Sequence, residues 1–392
     1  VDSIFTGVKY GSSLMPSSRR VPIAQGTIIA PQNLIPKKQE ITTPNNLNSD
    51  AENLYVKTIE ENIIAYEQLQ ENKVPKQEAS KIVPYGHRGG GFMYLTLETL
   101  ANLSKHFENN EYIPSEGKDI LKQLENFVHT HGMEVTYESR KNAPRTGCPN
   151  PEIFHKRQNF AHTMSQFRDL TTPSMIDERV TIDKGMQERI NKHLEKRKQA
   201  YKNQNSIKSE WKNMLRELDE IVNDYNDSVN ITTYANSPWR VWGEVKRHRT
   251  LPQTVESIYH GVQRAKESFE AMNKTEDSEL QQKLFESAFS LPPTVLENPK
   301  NFELWKNRAK ESVNAYFQLT KMGVAEKDAI HVIPRGLKVG ITKAYDLYNL
   351  TTGYMSLRLC STAEPEMKKT TELERKSIKQ ESTLPKYVTD LM

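Results

Sequence analysis

Apolar residues recur at helical spacing in several separate parts of the chain. The clearest run extends from Trp211 to Tyr225, where the apolar positions 211, 214, 215, 218, 221, 222 and 225 follow a period of about 3.6 residues. This run belongs to a longer polar-rich segment, Thr181 to Asp227. The segment predicts either one long helix or two helices separated at the Asn-Gln-Asn-Ser sequence of residues 203–206.

Two further parts of the chain share one local plan. Each begins with an amphipathic helix, predicted over Leu54 to Gln70 and over Leu304 to Lys321. A short helix with an acidic first turn follows, and a Pro then stops it before a Gly-containing turn. A further helix is predicted after each turn, over Tyr94 to Phe107 and over Lys343 to Leu359.

The two parts also repeat in sequence at a constant offset of 250 residues. Residues 60–91 align with residues 310–341 without a gap. The identical pairs include Glu61/Glu311, Ala65/Ala315, Tyr66/Tyr316, Gln68/Gln318, Leu69/Leu319, Val74/Val324, Ala79/Ala329, Pro84/Pro334, Gly86/Gly336 and Gly90/Gly340. This agreement predicts a tandem duplication.

The remaining segments differ in character. Residues 228–249 open with a β-like pattern, turn at Asn236-Ser237-Pro238, and continue as a predicted helix that leads into Arg247-His248-Arg249. The charged tail after Ser361 predicts a mostly solvated helix. The early stretch of residues 31–50 is polar and Pro-rich and predicts a linker or loop.

Composition restricts the functional classes only mildly. The 392 residues suffice for two or three domains, and the mean hydropathy of -0.74 predicts much polar surface. A net charge of +4 suits anionic small molecules as well as nucleic acid. No apolar run reaches the roughly 18 residues of a membrane helix, so we expect no membrane partner. The chain begins at Val1 in a stretch typical of mid-domain sequence. We therefore expect that further residues of a longer protein come before Val1.

Two cysteines, Cys148 and Cys360, provide neither a disulfide framework nor a zinc site. They favour a reducing cytoplasm as the location of the protein. Cys360 follows a predicted apolar helix and is expected to be a small core residue.

Arg247, His248 and Arg249 place three basic residues in a row, and Ser257 follows after seven further residues. Considered alone, such a cluster is most often a helix end whose cations interact with the helix dipole. It also suits an anion such as a phosphate, because guanidinium groups carry a permanent charge and bind bidentately.

Downstream residues extend this pattern. Gly323-Val324, Ala329 and Ile333-Pro334 follow in order, and a later helix supplies Arg358, Ala363 and Glu366. Together with the Arg-His-Arg spacing, they make the chain resemble the flavin-dependent thymidylate synthases, the ThyX family. The resemblance implies an α/β (α+β) fold of that type, here duplicated and extended by long helices. Residues 1–145 would be the later part of a first copy, and residues 146–392 a second copy that carries the motif.

The resemblance implies methylation of dUMP to dTMP with FAD, NADPH and methylenetetrahydrofolate. Arg358 would neutralise charge that develops on the uracil ring, and Arg247 would bridge nucleotide and flavin. His248 and Arg249 would face the flavin phosphates, and Ser257 would be a phosphate ligand. The family also implies a homo-oligomer, here a pseudo-tetramer formed by two duplicated chains.

The first copy departs from the family pattern differently from the second. It carries Ser17 and Arg19 at positions that resemble the nucleotide-binding end of the motif, but residues 7–9 lack the cationic triplet. Of the family's Asn-x-Arg-x-x-x-Asn flavin-contacting pattern it keeps only Asn102. We hypothesise a composite site, in which the first copy contributes Ser17 and Arg19 and the second contributes Arg247 and Arg358.

The second copy lacks the Asn-x-Arg-x-x-x-Asn pattern in either register, 346/348/352 or 347/349/353. An alternative function therefore stays open, that of a catalytically degenerate nucleotide-binding or structural subunit. Nucleic-acid binding is disfavoured, because the net charge is small and aromatic residues do not alternate with the basic runs.

Overall fold

The structure is a computed structural model that describes residues 11–14, 46–87, 92–108, 110–143, 152–167, 171–202 and 207–392. The strands are β1 Gly11–Leu14, β2 Phe92–Leu95, β3 Ser174–Val180, β4 Val229–Pro238, β5 Gln253–Val255 and β6 Lys338–Asp346. The helices up to β4 are α1 Asn46–Glu71, α2 Lys76–Ala79, α3 Leu97–Glu108, α4 Ser115–Thr130, α5 Glu134–Lys141, α6 Phe160–Phe167, α7 Lys184–Lys202 and α8 Ile207–Tyr225. The later helices are α9 Trp239–Val245, α10 Ile258–Met272, α11 Ser278–Ala288, α12 Pro293–Leu296, α13 Pro299–Lys321, α14 Glu326–Ala329, α15 Leu347–Thr351, α16 Tyr354–Arg358, α17 Pro365–Glu381 and α18 Lys386–Thr389.

The chain forms two compact units. The first unit contains residues 1–162, 238–247 and 255–339, and the second contains residues 163–237, 248–254 and 340–392. Each unit is thus assembled from three stretches of chain. The predicted boundary after residue 145 refers to copies of sequence, and it stays a prediction.

In the first unit, the two long predicted helices are present and pack against each other. They are somewhat longer than predicted, Asn46–Glu71 and Pro299–Lys321. Asn62 on α1 donates a 2.9 Å hydrogen bond from Nδ2 to Ser312 Oγ on α13, and the two residues are 250 positions apart. Both side chains are buried. The helices therefore meet at positions that the sequence repeat treats as equivalent.

The segments after these helices exchange reciprocal backbone hydrogen bonds. Gly86 N donates to His331 O at 2.8 Å, and Gly336 N donates to Lys81 O at 2.7 Å. Pro84 and Pro334 form an antiparallel bridge between these two bonds. Two copies related by a local two-fold axis would make such paired contacts. The duplication itself stays a prediction.

Close approach at this turn makes Gly86 sensitive to substitution. A Cβ at Gly86 would lie 2.6 Å from both Ile59 Cδ1 and Tyr55 Oη, and 3.1 Å from the His331 carbonyl oxygen. We expect Gly86→Ala to lower the free energy of unfolding by about 1–3 kcal/mol, because buried side chains and backbone must shift. Urea denaturation followed by circular dichroism measures the change.

Gly243 on α9 provides the matched control, since a Cβ there meets no atom within 4 Å. Gly243→Ala should be neutral or stabilising by up to about 1 kcal/mol, because alanine favours the helix. If both variants unfold at the same urea concentration as the wild type, the inference that Gly86 is closely packed is wrong.

In the second unit, a four-stranded sheet has the order β3-β4-β6-β5. Strands β3 and β4 are antiparallel, with Val180 opposite Val229. Helix α17 packs on β3, and Met175 N donates to Ser377 Oγ at 2.8 Å. Helices α7 and α8 pack as a pair, so of the two alternatives predicted for this segment the structure shows two helices. The helix-rich fold with an antiparallel sheet agrees with the expected α/β (α+β) class.

Two predicted helices were wrong in their first residues. Tyr94 belongs to β2, and Lys343 lies in β6, which runs to Asp346 before helix begins. Burial along β6 explains the second error, because most of its residues are buried and so lack a polar face. The helix that follows is broken at Gly353 into α15 and α16.

The prediction for Cys360 can be compared directly with the structure. Cys360 is exposed, so its predicted role as a core residue was wrong. It lies two residues after the end of α16, in a stretch where residues 359–363 are exposed or half-buried. In the described part of the chain, every helix is too short or too polar to cross a membrane.

Candidate functional site

Helix α9 leads the chain into the basic triplet. It starts directly after Pro238, its N-cap residue, and it buries Trp239 and Trp242. Lys246 follows the helix and is itself buried, with its Nζ 4.7 Å from the centre of the Trp242 ring. Aromatic anchoring thus holds the end of α9, and the triplet begins at the next residue.

The three triplet residues differ in their surroundings. Arg247 and Arg249 are exposed, whereas His248 is half-buried. Arg247 belongs to the first unit, and His248 and Arg249 belong to the second. The guanidinium groups of the two arginines are therefore accessible to an anion on the surface of their own unit.

In the second unit, the structure brings His248 and Arg358 together. The role predicted for Arg358 needs this side chain to lie near the motif. Arg358 Nη2 donates a short hydrogen bond to His248 Nε2, although the residues are 110 positions apart. Tyr354, one turn before Arg358 on α16, packs edge-on against the imidazole with ring centres 4.8 Å apart. Helix α16 thus supplies both groups that contact His248.

His248 is a neutral imidazole at physiological pH. Burial, together with the positive charges of Arg358 and Lys343, lowers its pKa to about 4. A neutral ring leaves Nε2 free to accept the hydrogen bond of Arg358. The sequence suggested three adjacent cations, but in the structure the middle residue, His248, is an uncharged hydrogen-bond acceptor.

The second unit also contains a buried ion pair near His248 and Arg358, which the sequence analysis missed. Lys343 Nζ lies 3.0 and 2.8 Å from the two carboxylate oxygens of Glu374, and the side chains are only 1% and 0% exposed. Thr233 and Tyr345 donate to the same carboxylate at 2.9 and 3.0 Å. One sequence signal points to it, because Lys343 interrupts an apolar strand pattern. Glu374 lies on the buried face of α17, which also carries Thr371 and Ser377.

Asn349 connects the end of the triplet segment to α15. It is fully buried, and its Nδ2 donates to Thr250 O at 3.0 Å and to Asp346 Oδ1 at 2.9 Å. Asp346 also caps α15 by accepting from Asn349 N at 2.8 Å. Asn349 thus uses its side chain inside the protein, at a position where one register of the family pattern expects a flavin contact.

Ser257 lies in the first unit and is buried at the start of α10. Its hydroxyl donates a short hydrogen bond to His155 O and accepts one from Tyr259 N at 3.2 Å, as a helix N-cap does. A phosphate would have to replace the bond to His155 in order to use this hydroxyl. The role of Ser257 as a phosphate ligand stays a prediction.

A second polar cluster in the first unit is centred on Glu256, the residue before Ser257. Arg264 Nη1 lies 2.6 Å from each carboxylate oxygen of the buried Glu256. His162 Nδ1 is 3.7 Å from Glu256 Oε1, and the rings of His162 and His260 overlap with centres 4.0 Å apart. Burial lowers the pKa of His260, and the neighbouring His162 adds to the effect. This cluster holds the start of α10.

The remaining predicted site residues are not joined to these groups by the described contacts. Asn102 lies half-buried on α3 in the first unit. Ser17 and Arg19, together with residues 7–9, lie outside the described residues. Within the part of the chain that the structure describes, no three histidine, cysteine or acidic side chains are grouped to hold a metal ion.

Comparison with protein families gives a match over more than half of the chain. The sequence model of the family described as Thymidylate synthase complementing protein matches residues 179–382. This range contains the triplet, Ser257, Arg358 and the buried Lys343–Glu374 pair.

Two curated relatives are similar over shorter stretches. A flavin-dependent thymidylate synthase of Thermococcus onnurineus is 30% identical over 83 residues, which are 21% of this chain and 34% of the relative. A flavin-dependent thymidylate synthase of Saccharolobus solfataricus is 37% identical over 81 residues, which are 20% of this chain and 29% of the relative. The match thus spans about a third of the length of these relatives.

Among solved structures, this chain is similar to Thymidylate Synthase X from Helicobacter pylori, which was crystallised with FAD and dUMP. The identity is 12%, with 56% of this chain and 96% of that chain covered, and the TM-score is 0.32. A TM-score this low supports no statement about the site of this chain.

Proposed function

The chain belongs to the family of thymidylate synthase complementing proteins, and we propose that it methylates dUMP to dTMP in a flavin-dependent reaction. The proposal rests first on one observation, the Arg358 guanidinium held against a neutral His248. It rests further on the family match, because the matched range contains every residue of the Arg-His-Arg and Arg358 pattern.

The described residues fit a cofactor that carries phosphates. Arg247 and Arg249 are exposed, each on the surface of its own unit, so each offers a permanent charge to an anion there. FAD, when bound, would supply the redox chemistry of the reaction. NADPH as reductant and methylenetetrahydrofolate as carbon donor belong to the same proposal.

Arg358 would act on the nucleotide by electrostatic stabilisation. Negative charge that develops on the uracil ring is stabilised by a guanidinium that is already oriented before the reaction starts. The hydrogen bond to His248 supplies that orientation, since it fixes one nitrogen of a planar group with five N–H donors. His248 itself would not transfer a proton near neutral pH, because its pKa is about 4.

A second candidate function is a catalytically degenerate nucleotide-binding or structural subunit. Asn349 favours it, because its amide is occupied by Thr250 and Asp346. The composite site with Ser17 and Arg19, the homo-oligomer and the cytoplasmic location stay hypotheses beside either function.

The test is an absorption spectrum of the full-length protein with added FAD, followed by an assay of dUMP conversion. We expect a flavin band near about 450 nm that NADPH bleaches, and dTMP formation when methylenetetrahydrofolate is added. A bound flavin without dTMP formation would favour the degenerate subunit. A protein that binds neither FAD nor dUMP would contradict the proposed reaction and nucleotide binding, and would leave only the structural subunit.

A further inference from the structure

We propose that Lys343, Glu374 and Tyr354 are positioning residues, which hold His248 in the orientation that receives the Arg358 guanidinium. None of the three was predicted as a site residue. The inference concerns the geometry of the second unit, and its importance for turnover rests on the proposed function.

The Lys343–Glu374 pair is the rigid base of this arrangement. Each Glu374 oxygen accepts a bond from Lys343 and one further bond, from Thr233 at Oε1 and from Tyr345 at Oε2. Burial alone would lower the pKa of Lys343, but the interactions with Glu374 and Tyr354 together raise it above its usual value, so Lys343 stays charged. A buried pair with these partners has one favourable geometry, because any displacement leaves a charge without a partner.

Tyr354 connects the ion pair to the imidazole. Lys343 Nζ lies 5.2 Å from the centre of the Tyr354 ring, within range of a cation–π interaction. Tyr345, which donates to Glu374, also packs edge-on against Tyr354, with ring centres 5.8 Å apart. The buried ring of Tyr354 is thus held by the same groups that hold the carboxylate.

His248 is contacted by the Tyr354 ring, and it is also affected by the positive charge of Lys343. The Tyr354 ring meets the imidazole at an interplanar angle of 79°. The described charged or titratable groups that face His248 are Arg358 and Tyr354 on α16 and Lys343 on β6. The two cations disfavour protonation of the imidazole. A protonated His248 would present N–H at both nitrogens and could no longer accept from Arg358.

The experiment is an NMR titration of the full chain labelled at histidine, with the His248 signal assigned by His248→Gln. In the wild type we expect His248 to stay neutral from pH 8 to pH 5. In the double variant Lys343→Met/Glu374→Leu, which replaces the pair by apolar side chains of similar length, one facing cation is removed. The midpoint of His248 should then rise by about one pH unit. Binding of dUMP to this variant should become about 10-fold weaker.

Tyr354→Leu is the second variant, and it leaves the ion pair intact. It should change the Nε2 chemical shift of His248 at pH 7, because the ring that orients the imidazole is gone. Tyr345→Phe serves as control, since it removes one bond to Glu374 but keeps both aromatic rings, and it should leave the His248 midpoint within about 0.3 units.

The proposal is overturned if the His248 midpoint and Nε2 shift are those of the wild type in whichever of the two variants folds. This readout is independent of catalysis. A protein that binds no dUMP would contradict the proposed function, and the titration would still decide the role of Lys343, Glu374 and Tyr354.

Discussion

Replacing Arg358 by Gln is expected to lower kcat for dUMP methylation by at least about 100-fold, the size of effect seen when one preorganised electrostatic donor is removed. Glutamine keeps a planar N–H donor group on a shorter side chain, but it carries no charge. It would therefore leave the developing negative charge on the uracil ring without its counter-ion. Steady-state assays of dTMP formation with saturating FAD measure the change.

Two further variants complete this test. One separates the charge of Arg358 from its orientation, and the other is a control. Arg358→Lys keeps the positive charge but loses the planar group that can bind His248 and substrate together, so we expect partial activity. Arg179→Gln removes an exposed arginine of β3 in the same unit and should leave kcat within about two-fold. Arg358→Gln activity as high as that of Arg179→Gln would exclude Arg358 from the reaction.

Replacing Glu374 by Ala is expected to lower the free energy of unfolding by about 3–5 kcal/mol, because the ammonium group of Lys343 stays buried without its partner. Both charges of this pair are shielded from water, so solvent cannot replace the lost carboxylate. Thr233 and Tyr345 lose their acceptor as well. Urea denaturation at pH 7, followed by tryptophan fluorescence, measures the effect.

The pH dependence of this variant has a definite sign. Without Glu374, burial depresses the pKa of Lys343 in the folded state below its unfolded value of about 10.4. The unfolded chain then binds more protons at pH 7, so the stability of Glu374→Ala should rise as the pH is raised towards 10. The wild type should not show this rise, since its Lys343 pKa is raised in the fold.

Two comparisons complete the test. Lys343→Met/Glu374→Leu should recover most of the lost stability, because it removes both buried charges at once. Asp224→Ala breaks the exposed Arg189–Asp224 pair, whose side chains are 38% and 58% accessible, and should cost about 1 kcal/mol or less. A Glu374→Ala variant no less stable than Asp224→Ala would contradict the buried ion pair.

Local pattern was sufficient for much of the helical architecture. The apolar period of residues 211–225 correctly predicted α8, and the repeated amphipathic runs predicted α1 and α13. The helix after Pro238 was predicted for the same reason, since helix starts and apolar spacing depend on neighbours within a few residues. The motif spacing likewise led to the family, which the match over residues 179–382 shows independently.

The sequence failed where a partner distant along the chain decides the local structure. Residues 343–346 are strand because they are part of a sheet whose other strands lie elsewhere in the sequence. Ser257 seemed available as a ligand, but its hydroxyl contacts His155 and the backbone of Tyr259. Hydrogen-bond partners of this kind cannot be read from spacing.

By itself, then, the sequence determined the positions of the long helices, the order of the motif residues and the family. Only the tertiary structure decided the chemistry of the motif. It made His248 a neutral acceptor rather than a third cation, because burial and two cations far along the chain disfavour its protonated form. It also paired Lys343 with Glu374, since a charge is kept in an apolar interior only when folding brings an opposite charge to it.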